Sequence, residues 1–396
     1  MTVPPQGSYG SQPPGGGGPQ WGGPPPQGPG AQPPHGGPGQ PQYGQQPGGG
    51  TWPQQGWTGA PPPPNNGGKG KWILIGLALV AIIAVSIVGT VLVLRPDSGA
   101  GNGSSNTADG ASEFASANDT GPANIITEDP TCEAWRKISH DMDSVSNAIK
   151  WNQQDYAVPA TEWTSEQRAA FDKKGAALAD ALKNVANIAK QTPHRVMREL
   201  YGQYTAYSQA VINAIPAYSS TDGNIVAASN KFFGVLNHVC DATYYRAAQQ
   251  ASPLIAEPAP PSAPQAPNSD RGPAEERFLK TNNGSCGDWV AMAERFNTES
   301  TAWRDLDPNI RATEWAPEQK AVVDAVIPVL KRYADDMEDI GRQSNNPVWE
   351  DFAVLAAQYM RAYVQVAPTY TSSYGLLSLA STNLSVAINW ACKAAS

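Results

Sequence analysis

Four cysteines are the residues of this chain whose type and spacing point most directly to chemistry: Cys132, Cys240, Cys286 and Cys392. Four cysteines allow three pairings if they form disulfides. Zinc ligation is the competing interpretation, but no CxxC or HxxxH spacing accompanies them. We therefore predict disulfides, which require an oxidising compartment.

A Thr-Glu-Trp motif occurs twice and gives four candidate binding residues, which are Glu162, Trp163, Glu314 and Trp315. A carboxylate beside an indole could form a platform for a sugar or a peptide. The alternative is structural: the tryptophan closes the end of a helical bundle, and the threonine or glutamate caps the next helix. The position of the motif just before a predicted helix favours the structural role.

Catalytic machinery is not recognisable in the sequence. Outside the N-terminal tail, the histidines are His140, His194 and His238, and no nucleophile or base is spaced to work with them. No GxSxG, HExxH, P-loop or GxGxxG motif stands in a suitable context. We predict no catalytic residues, no metal and no cofactor, and a protein that is not an enzyme.

An internal repeat organises the C-terminal two thirds of the chain. The matched segments are 132–135 with 286–289, 160–163 with 312–315, and 237–240 with 389–392. The first pair is offset by 154 residues and the others by 152. One two-residue length change explains the difference, so the two segments are copies of one domain.

Each copy is predicted to form four helices. Apolar residues recur at the i, i+3 and i+7 spacing of an amphipathic helix, as Trp135, Ile138 and Met142 do in the first. Tyrosines on the third helix could line a wet cavity, or lie in the core with their hydroxyls at its rim. No segment has the period of a β-strand, so we predict an all-α fold.

The repeat selects one disulfide pairing. Each copy has one cysteine at the start of its first helix and one late in its fourth. In an up-down-up-down bundle these two points lie at the same end. We predict Cys132–Cys240 and Cys286–Cys392, so that each four-helix bundle is closed by its own disulfide.

Residues 72–94 form a run of 23 residues without a charge. At about 1.5 Å per residue the run would extend roughly 34 Å as a helix, enough to cross a bilayer. Lys69 and Lys71 precede it, which by the positive-inside rule predicts a cytoplasmic N-terminus. We predict an integral, single-pass protein of the plasma membrane, with its C-terminal domains outside the cytoplasm.

The remaining segments are predicted from composition. The predicted units are a disordered Pro/Gly/Gln-rich cytoplasmic tail (1–68), the transmembrane helix (72–94), a flexible linker (95–129), repeat domain 1 (130–251), a Pro-rich linker (252–284) and repeat domain 2 (285–396). The tail is either a docking segment or a spacer. Only two of the 27 basic residues precede residue 94, which leaves 25 basic and 35 acidic residues beyond it. This acidic balance argues against a nucleic-acid partner.

The charge-free tract PPPQGPGAQPPHGGPGQPQYGQQPGGG, the lysine-flanked apolar run and the helical region beyond it resemble the proline-rich single-pass membrane proteins of actinobacteria, especially mycobacteria. The resemblance implies a cell-envelope setting and supplies no catalytic residues. We therefore expect a non-enzymatic scaffold whose paired helical domains bind an envelope protein partner. The alternative is a lipid or small-molecule binder with a cavity within the bundles.

Overall fold

The computed structural model describes residues 114–262 and 276–396. Within these ranges the chain is helical and contains no β-strand, which confirms the all-α prediction for this part. The helices are α1 (Cys132–Ala148), α2 (Ser165–Ala189), α3 (Arg195–Ala214), α4 (Gly223–Tyr244), α5 (Ala247–Ala251), α6 (Cys286–Glu299), α7 (Thr301–Arg304), α8 (Pro317–Gln343), α9 (Pro347–Val366) and α10 (Gly375–Ala394). The first repeat contributes α1–α4 and the second α6 and α8–α10.

The long helices begin where local chemistry satisfies their free amide groups. Thr164 caps α2: its side chain accepts a hydrogen bond from the amide of Gln167, whose side chain accepts one from the amide of Thr164 (3.1 Å each). Helix α8 begins at Pro317, a position that has no amide donor to satisfy. Asn346 caps α9 by accepting from the amide of Trp349 at 3.1 Å.

A tryptophan near the start of the first helix anchors each repeat. Trp135 and Trp289 are both fully buried. The indole of Trp135 donates to the side chain of Asn237 at 2.8 Å, and that of Trp289 donates to the backbone carbonyl of Ser385 at 3.0 Å. Both acceptors belong to the fourth helix of the same repeat. Each tryptophan therefore fixes the first helix against the fourth.

The two predicted disulfides are present. Cys132 is bonded to Cys240 and Cys286 to Cys392, with Cα–Cα distances of 5.2 and 5.6 Å. Each bond joins the start of the first helix of a repeat to the late part of its fourth. This arrangement follows from the antiparallel order of four helices that the repeat predicts.

The repeats are packed together through their fourth helices. Helices α4 and α10 make the most extensive contact between helices in the part of the chain described here. They run antiparallel, because Asn224 near the start of α4 donates to the carbonyl of Lys393 near the end of α10 at 3.2 Å. All the described residues belong to one compact unit.

Segments that the sequence assigns to linkers are packed against this unit. Ile125 and Ile126, in the predicted linker 95–129, are buried. In the linker 252–284, Phe278 lies within 6.5 Å of the rings of Tyr207, Phe232, Trp349 and Phe352 (ring centroids), so it contacts both repeats. These contacts hold the repeats in one arrangement.

The prediction of a membrane-spanning element is corrected by the structure. In the ranges 114–262 and 276–396, no helix has both the length and the apolar character needed to cross a bilayer. The apolar run at 72–94, on which the transmembrane helix, the integral single-pass assignment and the plasma-membrane localisation depend, lies outside the described residues. Its evidence was charge-free length and the flanking lysines, whereas the long helices of the described fold carry polar residues along their length, as Glu350, Asp351 and Gln358 do in α9.

The first prediction concerns the coupling of the repeats. Replacing both cysteines of one disulfide, as in Cys132→Ser with Cys240→Ser, should lower the free energy of unfolding by about 3 kcal/mol. Because the repeats share a core, calorimetry of this variant should still show one transition, at a lower Tm. The matched variant Cys286→Ser with Cys392→Ser should behave in the same way. Two resolved transitions in either variant would show that the repeats unfold independently.

Candidate functional site

The tryptophans of the two Thr-Glu-Trp motifs close the ends of their bundles. The half-buried Trp163 stacks on Phe171 with ring centroids 4.1 Å apart, and its indole donates to the carbonyl of Val158 at 2.9 Å. The half-buried Trp315 stacks on Tyr370 at 5.9 Å and donates to the carbonyl of Ile310 at 3.2 Å. Both indole donors are therefore used within the fold.

The acidic residues of these motifs, Glu162 and Glu314, are exposed at the ends of short 3₁₀ turns. Beside the first, Arg168 lies over the Trp163 ring at 4.7 Å and donates to the carbonyl of Ala160 at 3.0 Å. These contacts of Arg168 stabilise the turn that precedes α2. A sugar- or peptide-binding role for the four motif residues stays a prediction.

The tyrosines of the third helices lie in the core. Tyr201, Tyr204, Tyr207 and Tyr359 are fully buried, and Tyr363 is 4 % exposed. Tyr204 packs edge-to-face on Trp135 with ring centroids 5.4 Å apart. A surface depression of about 360 Å³ is lined by residues 276–283 and Asn346, and none of these tyrosines contributes to it. The third helices use these rings for packing.

The acidic run of α8 is neutralised by arginines. Arg361 pairs with Asp335 at 2.8 Å, and Arg342 pairs with Glu338 at 2.8 Å. Arg342 also donates to Glu350 at 2.9 Å. Within the described ranges, no group of three or more potential ligands could hold a metal ion. The run therefore supplies ion pairs that join α8 to α9.

A pair of buried carboxyl groups lies where the third helices of the two repeats meet. Glu199 on α3 is 9 % exposed and Asp351 on α9 is 2 % exposed. They occupy equivalent positions, because the 152-residue offset of the repeat relates one to the other. Glu199 Oε2 and Asp351 Oδ2 are enclosed and have no N–H or O–H donor among the described groups. Burial and the nearby charge of Asp351 raise the pKa of Glu199, which favours the protonated form of this acid.

Charges from three segments surround this carboxyl pair. Arg195 Nη2 lies 3.0 Å from Asp351 Oδ1, with both side chains almost fully buried. The backbone amide of Arg195 donates to Asp119 at 2.6 Å. Arg198 on α3 and Glu350 on α9 also act on the pair through space. Arg195 therefore compensates the charge of Asp351.

Burial raises the pKa of both carboxyl groups, to about 6 for Asp351 and well above the ordinary value for Glu199. The charge of Asp351 raises the pKa of Glu199 further, and Arg195 opposes this effect. We assign the proton to Glu199, because Asp351 has the direct ion pair with Arg195. The protonated form of Glu199 is therefore favoured beside the ionised Asp351.

A second contact between equivalent residues lies at the middle of α4 and α10. Lys231 Nζ donates to Asn383 Oδ1 at 3.2 Å, and the same 152-residue offset relates these two residues. Contact between equivalent positions is the property of an isologous, two-fold interface. The repeats are thus arranged as the two halves of a dimer joined into one chain.

The outer side of this helix pair forms a surface that we call the seam face. Its residues are Ala227, Lys231, Gly234 and His238 of α4 with their equivalents Leu379, Asn383, Val386 and Trp390 of α10. The spacing i, i+4, i+7, i+11 places each set of four along one side of its helix. Leu379 is 36 % exposed and the other seven are half-buried. Each repeat therefore contributes four residues to this surface, and its large apolar side chains belong to α10.

Lys231 is the charged residue of the seam face. Burial lowers the pKa of Lys231. Burial, with a smaller effect of Lys231, lowers the pKa of His238 to about 4, so this imidazole is neutral at pH 7. His238 Nδ1 is enclosed and has no hydrogen-bond partner among the described groups.

Sequence reasoning missed the Glu199–Asp351 pair and the seam face. A signal was present for the pair: both positions are acidic, stand in the same repeat register and fall on predicted helices. It was not decisive, because an acidic residue on a helix usually faces solvent. The contact between the repeats could not be inferred from periodicity within either copy.

Comparison with known proteins gives a match over the whole folded region. The family model described as "Mycobacterial ESX-1 associated protein" matches residues 114–396. An uncharacterized protein of Mycolicibacterium smegmatis (strain MKD8) is 38 % identical over 347 residues, covering 86 % of this chain and 90 % of the relative. No solved structure matches. The resemblance to mycobacterial proteins is confirmed at this level. Its proline-rich feature is not confirmed, and its single-pass feature is the one corrected above.

The second prediction separates the two residue types of the Thr-Glu-Trp motif. Trp163→Ala should lower the free energy of unfolding by about 2–4 kcal/mol, because it removes the stack on Phe171 and leaves a cavity. The exposed Glu162→Ala should change it by less than about 0.5 kcal/mol. Denaturant unfolding measures both changes, and Trp315→Ala with Glu314→Ala is the matched pair in the second repeat. A stable Trp163→Ala protein would contradict the structural role.

The third prediction follows from the raised pKa values of Glu199 and Asp351. The folded state binds more protons than the unfolded state, so stability is complete below about pH 4 for this pair and falls as pH rises through the folded pKa values. The loss should approach about 1 kcal/mol per pH unit for each group while it titrates. Unfolding measured between pH 4 and 8 tests this sign.

The variant Glu199→Gln keeps a hydrogen-bond donor for Asp351 without a second titrating acid. Its stability should depend less on pH than that of the wild type, and it should be the more stable protein at pH 8. The exposed Asp172→Asn is the control and should retain the wild-type profile. An unchanged slope in Glu199→Gln would contradict the protonated form of Glu199.

Proposed function

The chain belongs to the family of mycobacterial ESX-1 associated proteins, and on that premise we propose that it is a non-enzymatic scaffold that binds a protein partner in ESX-1 secretion. The seam face is the observation that carries this proposal. It is formed by both repeats and includes the exposed Leu379, with Val386 and Trp390 half-buried on the same face. Large exposed apolar residues gathered on one face are characteristic of protein-interaction surfaces.

The rigidity of the surface around the seam face also supports a binding role. The linker contributes Phe278 to the shared core, and Arg342 donates to the carbonyls of Ala259 and Pro260 at 2.9 and 3.0 Å. These contacts fix the position of one repeat against the other. A surface assembled from both repeats is therefore ready to bind without first being ordered.

The positions of the unusual acids favour a scaffold over an enzyme. Glu199 and Asp351 have strongly raised pKa values, a property often found in active sites. They are enclosed between α3 and α9 rather than directed into a cleft, and Arg195 ties them to the N-terminal segment. Their role in the proposed scaffold is to hold the two repeats together.

The fourth prediction tests the seam face in cells. The variant Leu379→Glu places a charge at its most exposed apolar residue and should cost little stability, because that side chain already meets solvent. In a mycobacterial strain lacking its own copy, the variant should reduce ESX-1-dependent secretion into the culture filtrate by at least about threefold, through loss of partner binding.

The control variant Lys173→Glu introduces the same side chain at an exposed site on α2 and should secrete at the wild-type level. Both purified proteins should unfold within a few degrees of the wild type, which excludes misfolding as the cause. Wild-type secretion by Leu379→Glu would contradict the proposed function.

A further inference from the structure

We propose that the seam face binds an acidic segment of its protein partner, in which one carboxylate pairs with Lys231 Nζ while apolar side chains cover Leu379 and Trp390. The inference rests on the proposed function and names the chemistry of the partner. Three independent features of the seam support it: a cation without a counter-charge, an apolar surround, and a break in the symmetry of the repeats.

Lys231 lacks a counter-charge within the described part of the chain. Its ammonium group donates to the neutral side chain of Asn383 at 3.2 Å. Burial alone accounts for its lowered pKa, and no carboxylate contributes to the shift. Burying a cation without a partner carboxylate costs free energy of folding, because the lost hydration of the ammonium group is not compensated. An incoming carboxylate would provide the missing charge.

The residues beside Lys231 are suited to a protein segment rather than to a small anion. His238 is neutral and lies two turns away on the same side of α4, so it adds no second positive charge. Leu379 and Val386 add apolar area on the same face, and Lys393 Nζ lies over the ring of Trp390 at 4.7 Å. Phosphate groups are usually held by several arginines or lysines. A lysine on the same face as the apolar Leu379 and Val386 matches a carboxylate on an otherwise apolar helix surface.

The asymmetry of the seam favours one occupant in one orientation. Equivalent positions hold Lys231 in the first repeat and Asn383 in the second, and His238 in the first is matched by Trp390 in the second. A two-fold symmetric occupant would meet a lysine on one side only. A single polypeptide segment can place its carboxylate over the first repeat and its apolar residues over the second.

The experiment uses the full chain with a photo-crosslinking benzoylphenylalanine in place of Leu379, produced in mycobacterial cells with active ESX-1 secretion. Crosslinked peptides are sequenced by mass spectrometry. We expect a peptide from another protein that carries Asp or Glu within about one helical turn of the crosslinked residue. Lys231→Met should reduce the yield of this product about 10-fold, since it removes the charge pair.

Matched variants separate charge from shape. Lys231→Arg keeps the charge and should retain most of the product, and Lys173→Met removes an exposed lysine from α2 and should have no effect. An undiminished yield with Lys231→Met, or a captured peptide without an acidic residue, would overturn this inference and leave the proposed function standing. A crosslink only to a second copy of the chain, or no crosslink at all, would overturn both.

Discussion

The carboxyl groups of Glu199 and Asp351 meet in the interior of the protein, where the fold can accommodate only one negative charge. Arg195 pairs with Asp351, and burial together with the charge of Asp351 raises the pKa of Glu199, which favours its protonated form. The third helices of both repeats must therefore keep these side chains in register, because separating them would leave a buried charge without its partner. Helices α3 and α9 carry the two acids, and Arg195 links them to the N-terminal segment through the carbonyl of Gly121.

The same local symmetry explains the rest of the architecture. Glu199 faces its equivalent Asp351, and Lys231 contacts its equivalent Asn383, as in a dimer whose subunits have been joined into one chain. After duplication the two halves of such an interface can diverge. Because one equivalent position holds Lys231 and the other Asn383, the seam face has a single charged side chain. The shared core and the asymmetric surface thus have a common structural origin.

Much of the fold follows from local patterns in the sequence. The apolar stripe containing Trp135 and Met142 predicted α1, and the repeat register predicted both disulfides. The packing of one repeat on the other was not predictable, because it depends on which side of α4 remains uncovered once its own bundle is complete. Phe278 illustrates this limit: a lone aromatic residue in a Pro-rich linker gives no sign that both repeats will enclose it.

The candidate site was predictable only in part. The repeated Thr-Glu-Trp motif drew attention to the bundle ends, where Trp163 and Trp315 have structural contacts, and away from the seam. The central claim is that Glu199 keeps its proton at neutral pH. The most direct measurement is the ¹³C chemical shift of the Glu199 side-chain carboxyl in the folded protein at pH 7, assigned by comparison with Glu199→Gln. A shift typical of a protonated carboxyl is predicted, and the shift of an ionised carboxylate would contradict the account.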